Sequence, residues 1–188
     1  MRVFFYLMLL LLLTACTGCD GDGKLKPGEF EDPAFKACVE NKINYAGLDK
    51  EDPDLYNKIT SLACGGGGIS NLNGIENMPN IFDLTVIDNQ IESLESLRTL
   101  TKLKWLKLDN NKIKDLEPLS ELTELTSLYL RNNYIEDISP LCSLTKLSMV
   151  GLSGNCIADA NQFRELEKCI PGYTSGGAEN YQNPEKCQ

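Results

Sequence analysis

The sequence predicts a solenoid in which copies of one 22-residue unit stack side by side and build a short parallel sheet. The pattern L-x-x-L-x-L-x-x-N-x-I begins at Leu103 and returns 22 residues later at Leu125. Within each copy, apolar residues at the fourth and sixth places alternate around one outward residue, as a short strand requires. An asparagine fills the ninth place of four copies, where its amide can satisfy main-chain groups as the chain turns inward. These asparagines are Asn89, Asn111, Asn133 and Asn155.

Five copies keep one register over residues 59–157, and the last of them is partial. A fixed period of about 20–29 residues with this signature is typical of leucine-rich repeats. The predicted fold class is therefore a leucine-rich repeat solenoid, an α/β-type repeat protein with a short parallel sheet on one face. Pro118 and Pro140 disfavour a regular helix on the opposite, convex side, so irregular chain or 3₁₀ turns are expected there.

The sequence also predicts a cap at each end, because a solenoid exposes the core of its terminal repeats unless something covers it. Asp32 and Pro33 are typical of a helix start, and apolar residues follow them at helical spacing. Residues 32–58 are thus the predicted N-terminal helical cap. Residues 158–188 are the predicted C-terminal cap and tail, with a helix over residues 159–170 and disulfide bonds to the repeats.

Three motifs resemble those of a known class of proteins. D-P-x-F-K-x-C-V starts at Asp32, and L-x-C-x-x-x-x-I-x-x-L-x-G-I follows in the first repeat. The middle repeats carry I-x-x-L-x-P-L at a 22-residue period. Together they resemble internalin-type bacterial leucine-rich proteins over residues 32–169, with departures in the glycine run Gly65–Gly68 and at Ala160.

Eight cysteines in 188 residues indicate an oxidising compartment. Six of them lie beyond residue 31 and allow 15 connectivities. The cysteine on the predicted cap helix should meet the one in the first strand, whereas the pairing among the other four stays open. The expected pairs are Cys38–Cys64, Cys142–Cys169 and Cys156–Cys187. Reduced thiols and a zinc site are the alternatives, but no C-x₂-C spacing exists among these six cysteines, so no metal is expected.

The N-terminal segment predicts export. Residues 3–13 form an apolar run of 11 residues, shorter than the roughly 20 that a spanning helix needs, so residues 1–15 are interpreted as a signal peptide. Leu13-Thr14-Ala15-Cys16 resembles the lipobox of bacterial lipoproteins, which implies cleavage before Cys16 and lipidation of that cysteine. The alternative is an ordinary signal peptide with an incidental cysteine.

The same resemblance implies a location. In lipoproteins of two-membrane bacteria, a residue other than aspartate after the lipidated cysteine implies the outer membrane, and here that residue is Thr17. The expected protein is lipid-anchored in the cell envelope and faces the periplasm or the surface. Residues 16–31 are glycine-rich and charged, and they are predicted to form a flexible tether after the lipidated cysteine.

The composition of the chain disfavours several classes of function. A formal net charge of −9 and a pI of about 4.6 disfavour nucleic-acid binding, which needs a basic footprint. The chain has no histidine and therefore lacks the commonest general base and metal ligand. The run Gly65–Gly68 lacks the lysine and the helix of a phosphate-binding loop. We expect neither catalysis nor a cofactor.

Outward side chains of the predicted strands are the candidate ligand-binding face. Four of them, Ile87, Trp105, Tyr129 and Met149, are predicted to form one diagonal apolar stripe. Exposed aromatic residues near arginine are typical of interface anchors, although scattered outward apolar residues are also ordinary surface. The full candidate set is Asp83, Ile87, Trp105, Lys107, Asp109, Tyr129, Arg131 and Met149.

These observations predict a monomeric, envelope-anchored binding module that recognises a protein, or alternatively a glycan. A structural envelope lipoprotein without a specific partner is the second hypothesis. An enzyme that uses carboxylates on neighbouring strands, such as Asp83 and Asp109, is the third, and nothing in the sequence suggests a deep pocket that would perturb them.

Overall fold

The computed structural model describes residues 29–173 together with Gln182 and Cys187. In this part of the chain, a sheet of five parallel strands in sequence order is flanked by one α-helix at each end. The predicted signal peptide, Cys16 and most of the predicted tether lie outside the described residues. The helices and strands are α1 Pro33–Tyr45, β1 Ser61–Ala63, β2 Asp83–Thr85, β3 Trp105–Lys107, β4 Ser127–Tyr129, β5 Met149–Gly151 and α2 Asn161–Cys169.

Neighbouring strands pair at a constant offset of 22 residues. Leu84 lies opposite Leu62 on one side and Leu106 on the other, and Leu128 lies opposite Val150 at the last pair. The four leucines are buried, and their inward side chains continue into one hydrophobic core that runs the length of the solenoid. The predicted leucine-rich solenoid is thus confirmed.

The convex side consists of short 3₁₀ turns, as expected. Pro118 and Pro140 each stand in the first turn of one of these segments, where a missing N–H costs nothing. The turns between successive strands are Ile75–Asn77, Glu95–Leu97, Glu117–Leu119 and Ser139–Ser143.

The asparagines of the ninth place form a buried inner row that joins adjacent repeats. The amide Nδ2 of Asn111 donates to the carbonyl oxygens of Val86 and Leu108 at 2.8 and 3.0 Å. The main-chain N–H of Ile91 donates to its Oδ1 at 3.0 Å. Each such side chain therefore satisfies main-chain groups of its own repeat and of the preceding one, and the pattern recurs at Asn133 and Asn155.

The eighth place carries a backbone requirement that was not predicted from the sequence. All five residues there have positive φ, between 57° and 75°. Only Gly, Asn and Asp tolerate this left-handed region readily, and only these occur: Gly66, Asp88, Asn110, Asn132 and Gly154. Asn110 Nδ2 donates to Asp88 Oδ1 at 2.6 Å, and Asn132 Nδ2 donates to Asn110 Oδ1 at 2.7 Å. These three polar residues are an exposed outer row beside the buried inner one.

Helix α1 covers the N-terminal end of the core with Phe35, Val39 and Ile43, which are all buried. Asp32 caps this helix, because its Oδ1 accepts from the N–H groups of Ala34 and Phe35. Its Oδ2 accepts from both the N–H and the hydroxyl of Ser70, at 2.8 and 2.7 Å, and so fixes the helix to the first repeat.

Burial would raise the pKa of Asp32. The hydrogen bonds that its carboxylate accepts from Ser70, Phe35 and Ala34 outweigh this effect, and the pKa lies below its usual range. The cap therefore depends on a charged carboxylate.

Helix α2 closes the other end with the buried side chains of Phe163 and Leu166. It lies within the predicted range 159–170. Gln162 ties it to the fourth repeat, since its Oε1 accepts from the N–H of Ile138 and its Nε2 donates to the Glu136 carbonyl, both at 2.9 Å.

Three disulfide bonds secure the two caps. The bonded cysteines have Cα–Cα distances of 5.8, 5.3 and 5.7 Å, and sulfurs bonded in this way are not thiolates that could ligate zinc. Such bonds indicate an oxidising compartment outside the cytoplasm. One bond joins Cys38 and Cys64, as the sequence predicts. The other two join Cys142 with Cys169 and Cys156 with Cys187, and so select one of the pairings that the sequence left open.

Candidate functional site

The strands present two rows of outward side chains, and together with the outward residues just before and after each strand they form what we call the strand face. The strand pairing sets the members of each row. The tryptophan row contains Asp83, Trp105, Ser127 and Met149. The tyrosine row contains Thr85, Lys107, Tyr129 and Gly151.

The tryptophan row is apolar at its exposed positions. Trp105 is 40% exposed and Met149 is 50% exposed. The ring of Phe82, which precedes β2, packs edge-on against Trp105 with centroids 5.8 Å apart. The eight candidate residues omit Phe82, although its large apolar side chain at an outward place was a usable signal.

Ser127 lies between Trp105 and Met149 in this row and departs from the expectation for an outward residue. It is only 2% exposed, and its hydroxyl has no hydrogen-bond partner among the described residues. A small side chain between two large ones is sheltered by its neighbours. The row thus contains a polar atom that is hidden beneath an apolar surface.

Tyr129 connects the two rows. Its hydroxyl donates to the Sδ of Met149 at 3.6 Å, and two cations lie near its ring. Lys107 Nζ is 5.8 Å from the ring centroid and Arg131 Cζ is 5.3 Å from it, within cation–π range. A Cβ at Gly151 would lie 3.1 Å from Arg131 Nε and 3.2 Å from Tyr129 Cδ1, so the glycine leaves the space that these side chains occupy.

The structure brings together only some of the residues of the predicted apolar stripe. It brings together Tyr129 and Met149, and it pairs Trp105 with Phe82. Ile87 occupies the seventh place of its repeat, whereas Trp105 occupies the third place of the next one. At 3.3 Å per residue, this difference of four places separates them by about 13 Å along the strand direction. Ile87 is half-buried and lies beside the first repeat instead, where its Cγ1 is 3.7 Å from the point that a Cβ of Gly65 would occupy.

The two candidate aspartates differ in their surroundings. Asp109 is half-buried, and its Oδ1 accepts from the main-chain N–H of Arg131 at 2.7 Å. Asp83 is also half-buried and begins β2 in the row of Trp105. Asp83 thus stands at the start of β2, whereas Asp109 follows the end of β3, so the two carboxylates belong to different rows.

At the edge of the strand face, Lys146 pairs with Glu124 at 2.5 Å. The hydrogen bond from Lys146, its charge and to a smaller extent the charge of Lys104 lower the pKa of Glu124. This surface pair is exposed and contributes little to stability.

A groove of about 680 Å³ extends the strand face at its N-terminal end, between α1 and β1. Its floor includes Ala63 and Gly65, and it reaches Asp83 and Thr85 on β2. Tyr45 stands at its wall and is 94% exposed. The groove was not predicted from the sequence, because it depends on how α1 packs beside β1, and the small side chains of Ala34 and Ala37 leave room there.

The chemistry that the strand face offers is that of aromatic rings, a thioether, cations and carboxylates. Over residues 29–173 with Gln182 and Cys187, no three cysteine, aspartate or glutamate side chains are grouped so that they could hold a metal ion. In the same part of the chain, no helix has the length and apolar character needed to cross a membrane.

Comparison with known proteins agrees with this geometry. A family model described as leucine-rich repeat matches residues 58–168. The crystal structure of an internalin (inlF) from Listeria monocytogenes is similar, with a TM-score of 0.61 and 26% identity over 73% of this chain and 47% of that one. An internalin C2 (inlC2) from the same organism has a TM-score of 0.55 and 28% identity over 76% of this chain and 74% of that one. This chain thus spans less than half of the inlF structure. No curated protein matches it.

Proposed function

We infer the function from the premise that the chain belongs to the leucine-rich repeat family, and we propose that it is a non-catalytic module that binds a partner protein through the strand face. The observation that carries this proposal is the placement of large exposed apolar side chains. Among the described residues there are four, and three of them are on the strand face: Phe82, Trp105 and Met149. Aromatic residues and methionine with arginine nearby are the composition of protein interfaces.

Two features support binding rather than catalysis. A leucine-rich solenoid of internalin-like fold is typically a binding scaffold. The carboxylate of Asp109, a candidate in the enzyme hypothesis, is used as an acceptor for the N–H of Arg131. The module is expected to act as a monomer.

The proposed binding module is anchored in the cell envelope by lipid at Cys16. The lipobox Leu13-Thr14-Ala15-Cys16 supports this part of the proposal, and the three disulfides support a location outside the cytoplasm. Residues 16–31 would then connect the lipid to the solenoid. Thr17 favours the outer membrane by its resemblance to lipoproteins that reach it.

Site-specific photo-crosslinking in the native envelope tests the binding surface. A photoreactive phenylalanine derivative replaces Trp105 in one variant and Glu121, an exposed residue on the convex side, in a matched control. We expect a discrete adduct from position 105 and none from position 121. Protease should digest the crosslinked partner in this adduct, because the partner is a protein. Adducts from neither position would favour a structural lipoprotein without a specific partner, and a protease-resistant adduct would indicate a glycan.

Cys16→Ser tests the anchor. The variant should leave the membrane fraction or remain unprocessed, because the acceptor thiol is gone. Mass spectrometry of the wild-type N-terminus should show acyl chains on Cys16. A mature N-terminus elsewhere without acyl mass would refute the proposed anchor and leave the proposed binding surface unaffected.

A further inference from the structure

Two cations on the strand face of this acidic protein share one aromatic ring and form no ion pair with the described acidic residues. The formal net charge is −9, yet Lys107 and Arg131, like several other cations of the described residues, are absent from the ion pairs. The pairs that do form are Lys36–Glu40, Lys58–Asp52, Arg98–Glu95, Lys146–Glu124 and Lys168–Glu165. Lys107 and Arg131 thus form no ion pair among the described residues, although the chain has more acidic than basic residues.

Tyr129 holds both cations in place. Arg131 Cζ and Lys107 Nζ lie 5.3 and 5.8 Å from the centroid of its ring. A guanidinium that rests on an aromatic ring keeps its N–H edge available for a planar anion, and it loses less conformational entropy on binding than a free side chain does.

Gly151 on β5 supplies the second support for Arg131. A Cβ at this position would lie 3.1 Å from Arg131 Nε, closer than side chains normally approach. The guanidinium therefore lies over the glycine of the neighbouring strand, and a larger residue there would displace it.

The nearby acid does not compete for the guanidinium. Asp109 occupies the same place as Arg131 one repeat earlier, and its Oδ1 accepts the main-chain N–H of Arg131 at 2.7 Å. This bond fixes the backbone of Arg131, while the side chain makes no ion pair within the described part of the chain.

We propose that Lys107, Tyr129 and Arg131 form a receptor for a carboxylate side chain of the partner protein, with an adjacent apolar side chain of the partner packed on Trp105 and Met149. The hydroxyl of Tyr129 donates to Met149 Sδ, so the cationic cluster and the apolar patch are continuous. This continuity favours a protein segment that combines acidic and apolar residues. The inference rests on the proposed function and names the chemistry of the partner.

Fluorescence anisotropy with defined peptides tests this inference on the full chain solubilised from membranes in detergent. The probe is a labelled nonapeptide that alternates glutamate with leucine, and the matched peptide has glutamine in place of glutamate. We expect the glutamate peptide to bind at least about tenfold more tightly than the glutamine peptide, because a charge-assisted bidentate pair is lost in the second.

Variants of the chain locate the effect. Arg131→Gln should weaken binding of the glutamate peptide about tenfold, Arg131→Lys should restore part of it, and Gly151→Ala should weaken it by displacing the guanidinium. Arg98→Gln is the matched control, since Arg98 pairs with Glu95 on the convex side and should leave peptide binding unchanged.

Three results would overturn the inference. They are equal binding of the two peptides, no effect of Arg131→Gln, and Arg131-dependent binding of oligogalacturonate without binding of the peptide, which would make the ligand an acidic glycan. Photo-crosslinking from position 105 separates this failure from that of the proposed function. A protein adduct whose yield is unchanged in Arg131→Gln would refute the carboxylate receptor alone.

Discussion

The middle of the solenoid and its two ends are held together by different means. In the middle, β3 has a strand on each side, and buried asparagines such as Asn111 and Asn133 join the repeats in sequence. At each end a terminal repeat lacks one neighbour. There a helix covers the core, and disulfide bonds and polar side chains from outside the repeats complete the contacts.

The polar groups at the C-terminal end show how a cap substitutes for a missing repeat. Asn155 donates to the Leu130 carbonyl at 2.8 Å, as the inner row requires. The next carbonyl in the series, that of Leu152, accepts from the amide of Gln182 in the tail at 3.3 Å, and Gln182 Oε1 accepts from the N–H of Asn155. A side-chain amide from the tail thus does part of what a further asparagine would do.

The first repeat shows the opposite solution. It has no asparagine in the inner row, and the N–H groups of Gly67 and Ile69 donate to Asn89 of the second repeat. Stability at this end then depends on groups outside the repeats. They are Asp32, which accepts hydrogen bonds from Ser70, and Cys38, which forms a disulfide bond with Cys64. A short solenoid therefore needs strong local contacts at its ends, because stacking is available only between repeats.

The largest effect is expected in the middle. Asn133→Ala removes a fully buried amide. It leaves the N–H of Ile113 without its partner, and the carbonyl of Leu108 keeps only the amide of Asn111 as a side-chain donor. We expect a loss of about 3–5 kcal/mol in the free energy of unfolding, since a buried unsatisfied group costs about 1–3 kcal/mol and the other hydrogen bonds of the amide are lost as well. Urea denaturation followed by circular dichroism measures it.

Asn132→Gly is the matched control for that change. Asn132 stands next to Asn133 but belongs to the exposed outer row, and glycine accepts its φ of 58° without strain. A change of less than about 1 kcal/mol is expected, because only one exposed side-chain bond is lost. Equal losses for the two variants would show that the inner row has no special role.

The next effect is expected at the N-terminal end. Replacing Cys38 and Cys64 together by alanine opens a loop with a sequence separation of 26 residues, which in the entropic description costs about 3–4 kcal/mol. Hydrogen exchange should then show faster exchange at β1 and α1 than at β3. Uniform exchange along all five strands would contradict the view that the ends and the middle are stabilised separately.

Much of this arrangement follows from the sequence. The 22-residue period sets the strand register, and the prolines of the convex side exclude regular helix, so the fold class could be predicted. The left-handed eighth place could also have been predicted, since glycine, asparagine and aspartate alone occur there.

Other features depend on contacts that no local pattern encodes. The burial of Ser127 depends on the residues beside it in the neighbouring strands, and the link from Asp32 to Ser70 joins residues 38 positions apart. Gln182 lies in a tail with no repeat signature. The position of Arg131 depends on the absence of a side chain at Gly151, which the sequence shows but does not connect to it.

A smaller effect is expected for the carboxylate that caps α1. Asp32→Asn should cost about 1–2 kcal/mol at neutral pH, because Oδ2 is exchanged for an amide that cannot accept from Ser70. The pKa of Asp32 is lowered in the folded state, so its contribution is present above the unfolded value near 3.8 and is lost as the pH falls through the folded value.

Urea denaturation at pH 7 and at pH values below 3.8 measures this dependence. The difference in stability between wild type and Asp32→Asn should shrink on acidification, because protonation of the wild-type carboxyl removes the same charged acceptor. A difference that does not change with pH would mean that the capping bonds, and not the charge, hold this end.

The smallest effect on stability is expected on the strand face. Trp105 is 40% exposed and fills no core volume. Trp105→Ala removes mainly the edge-on contact with Phe82, so we expect the free energy of unfolding to fall by about 1 kcal/mol. Leu106→Ala, at the adjacent inward position, should cost about 2–5 kcal/mol because Leu106 is fully buried. For the affinity to the crosslinked partner, we expect Trp105→Ala to have the larger effect of the two variants. It should weaken binding about thirtyfold, which corresponds to about 2 kcal/mol. If Trp105→Ala lowers stability as much as Leu106→Ala does, the exposed face contributes to the core. If it changes neither stability nor binding, the partner contacts the groove beside α1 or the convex side instead.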